Sequence, residues 1–133
     1  MDGRPVTDPG LVLDTACLLA YSDGTEAVGE QIASVADRGQ SVIVPALCLA
    51  EAYRQVAVDG WRLLDILGDL DHVVVTPVAH DMCMFLGGWS RTLRSMDLAQ
   101  VALEAARATT PIMSDRRELL GEVLPKEWPI IDL

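Results

Sequence analysis

The sequence is poor in positive charge and in aromatic side chains. One lysine and nine arginines stand against twenty acidic residues, the formal net charge is −10, and only 5% of the residues are aromatic. This balance excludes a domain that binds nucleic acid through a broad basic face. It leaves open an acidic active site that recruits metal ions, because the cations then supply the positive charge.

Paired cysteines and long apolar runs are also missing. The sequence has three cysteines, an odd number: Cys17, Cys48 and Cys83. They are widely spaced and form no CxxC or Cys/His cluster, which argues against a zinc site and against a disulfide framework. We expect buried, reduced thiols. The first residues lack the basic start and apolar run of a signal peptide, and no apolar stretch approaches the ~20 residues that span a membrane. The sequence therefore predicts a cytoplasmic protein that does not associate with membranes.

Short apolar or β-branched runs alternate with longer amphipathic segments. With 133 residues, half of them apolar, the chain suits one domain with its own core. Residues 1–10 are predicted to be a loose leader and residues 11–133 a single domain. Predicted strands are 11–13, 41–44, 72–76, 111–114 and an edge strand at 129–133. Predicted helices are 15–21, 27–36, 46–58, 61–70, a segment from 78 into Gly87-Gly88, 97–108 and 117–120. The alternation predicts an α/β fold, a three-layer α/β/α sandwich with a central, mostly parallel sheet of four to five strands.

The helix predicted at 97–108 has the clearest periodicity. Its apolar residues recur at the spacing of one helix face, and its polar residues Gln100, Glu104 and Arg107 are expected on the opposite, solvated face.

Four acidic residues lie where isolated acids are uncommon. Asp14 and Asp115 each end an apolar strand, and Asp97 opens a helix; taken singly, each is typical of a helix cap. Glu51 is the only charge in the apolar stretch 46–53, which predicts burial. A buried carboxylate costs several kcal/mol unless it is paired, for which Arg54 is available, or bound to a metal.

Taken together, the four acids predict one site. The functional crevice of an open α/β sheet lies at the carboxyl ends of its strands, where Asp14 and Asp115 fall directly. Glu51 follows the second strand, and Asp97 starts the helix that leads to the fourth. Clustered carboxylates repel one another, and a divalent cation that prefers oxygen ligands, Mg²⁺ or Mn²⁺, relieves this repulsion.

In sequence order, these motifs resemble the PIN-domain ribonucleases, which include the toxins of bacterial VapBC toxin–antitoxin pairs. The resemblance covers the chain from Leu11 to Leu133. Its four motifs are Leu11-Val12-Leu13-Asp14-Thr15, the segment from Val44-Pro45 to Glu51, Met96-Asp97-Leu98-Ala99, and Ile112-Met113-Ser114-Asp115.

The resemblance implies an endoribonuclease that hydrolyses phosphodiester bonds with Mg²⁺ or Mn²⁺ held by Asp14, Glu51, Asp97 and Asp115. Thr15 and Ser114 are candidates for hydroxyls that orient the carboxylates by hydrogen bonds. Arg91, Arg94 and Arg116, beside the acids, are candidates for contacts with RNA. The resemblance further implies a homodimer and an antitoxin protein as partner. An apolar surface around Trp61, Leu64 and Leu67 is one candidate interface, although a core role explains these residues equally well.

Other acidic-site families fit less well. A receiver domain needs a lysine near a late strand, but the only lysine is Lys126; a haloacid-dehalogenase-like phosphatase needs an acid where Ala16 stands. The remaining alternative is a PIN-like fold kept as a binding or assembly module with little nuclease activity. Two features favour this alternative: the net charge, and Ala16, which stands where the family often has a hydroxyl. The four acids disfavour it. A second departure from the family pattern is Arg117, which stands where some members have a further acid.

Overall fold

The structure, a computed structural model, describes residues 8–133. These residues form five strands and seven α-helices, joined by short loops and two short 3-10 segments. The strands are β1 Pro9–Leu13, β2 Ser41–Pro45, β3 Val73–Thr76, β4 Ile112–Ser114 and β5 Ile130–Asp132. The helices are α1 Thr15–Ser22, α2 Glu26–Asp37, α3 Ala46–Gln55, α4 Trp61–Asp69, α5 Cys83–Leu93, α6 Met96–Ala108 and α7 Arg117–Leu120.

The strands form one parallel sheet in the order β3-β2-β1-β4-β5. The central strand β1 places Val12 between Ile43 of β2 and Ile112 of β4. Leu11, Val12 and Leu13 are all buried, as expected of a strand covered on both faces. The predicted fold, an α/β sandwich around a parallel sheet, is confirmed.

Helices cover both faces of this sheet. Crossovers between parallel strands are right-handed, so α1 to α4, which connect β1 to β2 and β2 to β3, lie on one face. The chain then returns to the other side of β1, which places α5 to α7 on the opposite face. Contacts among the helices agree, since α1 packs on α2, α3 and α4, whereas α5 packs on α6 and α7. The direction of winding reverses between β1 and β4, where α/β sheets commonly bind ligands.

The predicted leader, residues 1–10, is wrong where it can be checked. Residues 1–7 lie outside the described residues, but Pro9 and Gly10 belong to β1. Gly10 is buried, and a Cβ there would lie 2.7 Å from Oε1 of Gln40 and 2.9 Å from Cγ1 of Val35. The strand therefore continues through a glycine because only glycine fits between α2 and β2 without displacing a neighbour.

Two predicted helix ends differ from the structure. α5 begins at Cys83 and continues through Gly87-Gly88 to Leu93, because Leu86 and Leu93 on either side of the glycines are buried in the core. α3 ends at Gln55 and not at residue 58, because the next residue, Val56, adopts an extended conformation. Cys17 and Cys48 are buried as predicted, but Cys83 is exposed at the start of α5.

The prediction of a polar face on α6 exposed to solvent is wrong for Gln100 and Glu104, although Arg107 is exposed. α6 packs against α3, α5, β1 and β2, which leaves little of its surface for solvent. Gln100 is fully buried and Glu104 is 8% exposed. The Oε1 atom of Gln100 accepts a hydrogen bond from Leu47 N at 2.9 Å, and its Nε2 donates to Thr76 O at 3.1 Å. This amide fastens α6 to the start of α3 and the end of β3.

Candidate active site

Two aspartates lie side by side at the carboxyl edge of the sheet, where the direction of winding reverses. Asp14 follows β1 and caps α1, its Oδ1 accepting a hydrogen bond from Cys17 N at 3.1 Å. Asp115 follows β4, the neighbour of β1. Asp14 is buried and Asp115 is exposed, so one carboxylate lies at the base of the site and the other at its rim.

Two hydroxyls bind the carboxylates of Asp14 and Asp97. Ser114 Oγ donates to Asp14 Oδ2 at 2.5 Å and accepts a hydrogen bond from Arg116 N at 2.9 Å. Thr15 Oγ1 donates to Asp97 Oδ2 at 2.6 Å. Ser114 thus binds the Asp14 carboxylate and Thr15 binds the Asp97 carboxylate, while Asp115 is linked to them only as the sequence neighbour of Ser114. We call the three aspartates and the two hydroxyls the aspartate network. The hydrogen bonds expected of Thr15 and Ser114 are present.

Asp97 is held from the side of α3. Ser95, not Asp97, caps α6, and its Oγ accepts a hydrogen bond from Leu98 N at 3.4 Å. The Cys48 thiol on the first turn of α3 donates to the carbonyl oxygen of Asp97 at 3.5 Å. Together with the Gln100 amide, this contact fixes the first turns of α3 and α6 against each other and so positions the Asp97 carboxylate, whose Oδ2 accepts the hydrogen bond from Thr15.

Burial controls the protonation of the groups beneath the site. It raises the pKa of Asp14 above the ordinary value, and this effect outweighs the hydrogen bonds from Ser114 and Cys17 that lower it; the negative charge of Asp115 adds to the rise. Burial also raises the pKa of the Cys17 and Cys48 thiols, with a further rise from the charge of Asp14 at Cys17 and of Asp97 at Cys48. Both thiols therefore stay protonated, and within the described part of the chain no cation offsets the buried charge of Asp14.

Glu51 is not buried, contrary to the sequence-based prediction. Its side chain is 29% exposed and forms an ion pair with Arg54, the pairing that the sequence offered as an alternative. Arg54 Nε donates to Oε1 at 3.0 Å and to Oε2 at 2.9 Å, and Gln55 Nε2 donates to Oε1 at 2.9 Å. The hydrogen bond from Arg54 is the main cause that lowers the pKa of Glu51 to about 2. The burial argument fails because α3 turns Cys48 and Ala52 toward the core and leaves Glu51 beside them at a cleft.

Glu51 and Asp97 line the same open cleft, which we call the α3–α6 cleft and which has a volume of about 450 Å³. Its lining residues are Leu47, Ala50, Glu51, Arg54, Ser95, Met96 and Asp97. A second open cleft of about 450 Å³ is lined by Asp115 and Arg116 together with residues of α7 and β5. The aspartate network thus lies between two accessible surfaces.

The donor chemistry of the aspartate network suits a divalent cation. Carboxylate oxygens are the preferred protein ligands of Mg²⁺ and Mn²⁺, and Asp14 is a buried acid with no basic partner among residues 8–133. As the side chains stand, however, no three His, Cys, Asp or Glu residues within 8–133 form a group able to hold a metal ion. Asp14, Asp97 and Asp115 therefore match such an ion in donor type and lie at the same edge of the sheet, but their side chains would have to move to hold it together, and Glu51 would first have to leave Arg54.

The candidate RNA-contacting arginines are exposed. Arg91 and Arg94 lie at the end of α5, where Arg94 adopts a left-handed conformation as the C-cap. Arg116 Nε lies 3.9 Å from Asp115 Oδ1. Arg117 instead binds both carboxylate oxygens of Asp132, at 2.9 and 3.0 Å, and so ties α7 to β5.

Sequence reasoning missed two residues near the site. Gln100 was expected in solvent, because helix periodicity puts it on the same face as Glu104 and Arg107 and carries no signal that separates it from them. Arg54 was considered only as a partner for Glu51, yet it is the one cation among the described residues that line the α3–α6 cleft.

No protein-family model matches the chain, and no curated protein matches it. Within the described part of the chain, none of the helices combines the length and the apolar character needed to cross a membrane.

Proposed function

We propose that this protein is a metal-dependent endoribonuclease of the PIN type. The observation that carries the proposal is the aspartate network at the carboxyl edge of a parallel sheet: Ser114, next to Asp115, binds the Asp14 carboxylate, and Thr15, next to Asp14, binds the Asp97 carboxylate. The order and spacing of the motifs around these acids, which resemble those of PIN-domain ribonucleases, support the same proposal.

The chain's own residues would have separate roles. Asp14, Asp97 and Asp115, joined by Glu51 once it is free of Arg54, would hold Mg²⁺ or Mn²⁺. The bound ion would supply a Lewis acid for in-line hydrolysis of a phosphodiester bond. Thr15 and Ser114 keep the carboxylates oriented, and the hydrogen bond from Arg116 N fixes the Ser114 hydroxyl. Arg91, Arg94 and Arg116 remain proposed contacts with the RNA backbone.

The test is cleavage of single-stranded RNA with Mn²⁺ or Mg²⁺ and with a chelator. Asp97→Asn keeps an oxygen that can accept from Thr15 but removes the charge, so we expect activity to fall at least ~100-fold while the fold survives. Asp37→Asn, at the exposed end of α2, removes the same charge away from the site and is expected to keep activity. Full activity of the parent without metal, or of Asp97→Asn, would contradict the proposal.

A second candidate function is an RNA-binding or assembly module without catalysis. The ion pair between Glu51 and Arg54, which removes one acid from the proposed ligand set, favours it. This module would bind RNA with Mn²⁺ present and leave it intact, so the cleavage assay combined with a binding assay separates the two candidates.

The proposal extends to cellular context through the family resemblance. We place the protein in the cytoplasm as the toxin of a toxin–antitoxin pair, dimeric and held inactive by an antitoxin. Leu64 and Leu67 are fully buried, so of the surface suggested as an interface only Trp61 is exposed. An adjacent reading frame for a short DNA-binding protein that copurifies with this chain and blocks cleavage would support the toxin role; its absence would favour a solitary nuclease.

A further inference from the structure

The α3–α6 cleft contains one cation among acids. Glu51 and Asp97 lie on its two sides, and Arg54 is the only basic residue among its described lining. The side chain of Arg54 is 70% exposed, so its guanidinium is accessible from the cleft. On a chain with a net charge of −10, a lone arginine next to the proposed catalytic acids has few competitors as a contact for an anion.

The present partner of Arg54 has the charge and the shape of a substitute for such an anion. Both carboxylate oxygens of Glu51 accept hydrogen bonds from Arg54 Nε. A guanidinium presents its donors as a planar fork, which matches the paired oxygens of a carboxylate and of a phosphate equally well. An exposed ion pair between residues three apart on a helix contributes little to stability, so an external phosphate can displace Glu51 at small cost.

We propose that Arg54 binds a backbone phosphate of RNA in the α3–α6 cleft, and that Glu51 occupies its guanidinium until the RNA arrives. The exchange would release Glu51 toward Asp97 across the cleft and so couple substrate binding to completion of the acidic site. The inference rests on the proposed function for its ligand, RNA, and adds a binding residue and an order of events.

The test is equilibrium binding of a fluorescently labelled single-stranded RNA at several salt concentrations, with chelator and in parallel with Ca²⁺. We expect Arg54→Gln to weaken binding ~10-fold and to lower the slope of log K against log salt by about 0.7, the value for one phosphate contact on a single strand. Arg54→Lys keeps the positive charge but not the planar pair of donors, so we expect its RNA affinity to lie between those of the parent and Arg54→Gln. The matched control is Arg38→Gln, an exposed arginine at the C-cap of α2, which changes the net charge equally.

The proposed displacement of Glu51 predicts that removing its charge strengthens RNA binding, the opposite of the effect expected for Arg54→Gln. Glu51→Gln frees Arg54, so in chelator it should tighten RNA binding ~3-fold or more, and this gain should vanish in the Arg54→Gln background. Glu30→Gln on α2 removes the same charge from an exposed site and controls for general electrostatics. Because Arg54 and Glu51 are both on the surface, circular dichroism should show an unchanged fold.

The possible outcomes separate this inference from the nuclease proposal. If the parent cleaves RNA but Arg54→Gln binds as Arg38→Gln does, the role of Arg54 is wrong and the nuclease proposal stands. If binding depends on Arg54 as expected but no RNA is cleaved with any metal, the nuclease proposal is wrong and Arg54 remains an RNA-binding residue. If the parent binds no RNA under either condition, both are overturned.

Discussion

Asp14 has two roles that favour different charge states. As the cap of α1 it needs only an acceptor for Cys17 N, which a neutral amide supplies nearly as well. As a metal ligand it must be ionised, although it is 3% exposed and close to the charge of Asp115. Without a cation, the ionised form is therefore a source of instability in the folded state.

Asp14→Asn is expected to stabilise the metal-free protein at neutral pH. Since the pKa of Asp14 is raised on folding, the folded state holds its proton more tightly than the unfolded chain, and stability falls as pH rises through the folded pKa. Asparagine carries no charge and so avoids this loss. We therefore expect the free energy of unfolding of Asp14→Asn to exceed that of the parent by about 1 kcal/mol above the folded pKa and to equal it at the lowest pH. The measurement is urea unfolding in chelator across pH 4 to 8.

Two comparisons make this prediction specific. Burial also raises the pKa of Glu104, which contributes its own pH dependence to stability. Asp14→Asn should keep the contribution of Glu104 and lose only that of Asp14. Asp37→Asn, at an exposed position, should follow the parent at every pH. A uniform loss of stability in Asp14→Asn at all pH values would show that its hydrogen bonds matter more than its buried charge.

At the scale of the elements, α5 shows why local propensity is a weak guide. Two consecutive glycines disfavour a helix by about 1 kcal/mol each relative to alanine, which explains why the sequence predicted an end there. Packing of Leu86 and Leu93 on the core outweighs this cost. Gly87 and Gly88 are exposed, and a Cβ at either would meet nothing within 4 Å.

Alanine at either glycine should therefore stabilise the protein. We expect Gly87→Ala and Gly88→Ala each to raise the free energy of unfolding by about 0.5–1 kcal/mol, because alanine loses less backbone entropy in a helix. Gly39→Ala is the contrasting variant: its φ of 72° is unfavourable for a residue with a Cβ, so stability should fall. Chemical denaturation measures all three, and a loss in the α5 variants would indicate that α5 requires glycine for a reason other than space.

The elements also show which parts of the site were accessible from sequence. Strands and the aspartates that end them could be predicted, because a buried parallel strand is a continuous apolar run and its end is marked by polarity. The buried position of Gln100 and the exposed one of Glu51 could not, since both depend on how α6 and α3 pack. Helix periodicity identifies an apolar face, but a helix packed on several sides, like α6, also buries polar residues that find partners in Leu47 and Thr76.

On the scale of the whole molecule, the excess of acids ties stability to cations. With a net charge of −10, the acidic side chains repel one another, and any salt screens this repulsion. A specific metal site adds a second effect, because Mn²⁺ then stabilises the protein more than another salt of the same ionic strength does. The two effects can be separated only when Mn²⁺ is compared with NaCl at equal ionic strength.

We expect Mn²⁺ to raise the melting temperature of the parent under that comparison. At ten times its dissociation constant, an ion that binds only the folded state adds about 1.4 kcal/mol, or roughly 5 °C for a chain of this size. Asp97→Asn and Asp115→Asn should lose most of this rise, and Asp37→Asn should keep it. An equal rise in all four proteins would mean that the aspartates do not form one metal site.

The strand order has a consequence for the synthesis of this chain. β1 is translated before the other four described strands, yet it lies at the centre of the sheet, and Ser114 binds Asp14 across 100 residues of sequence. A growing chain can pair β1 with β2 early, but the other side of β1 stays open until β4 has been translated. The hydrogen bonds that Asp14 accepts from Ser114 and Asp97 accepts from Thr15 can therefore form only after β4 has been translated and paired with β1, and until then the chain is without its acidic centre.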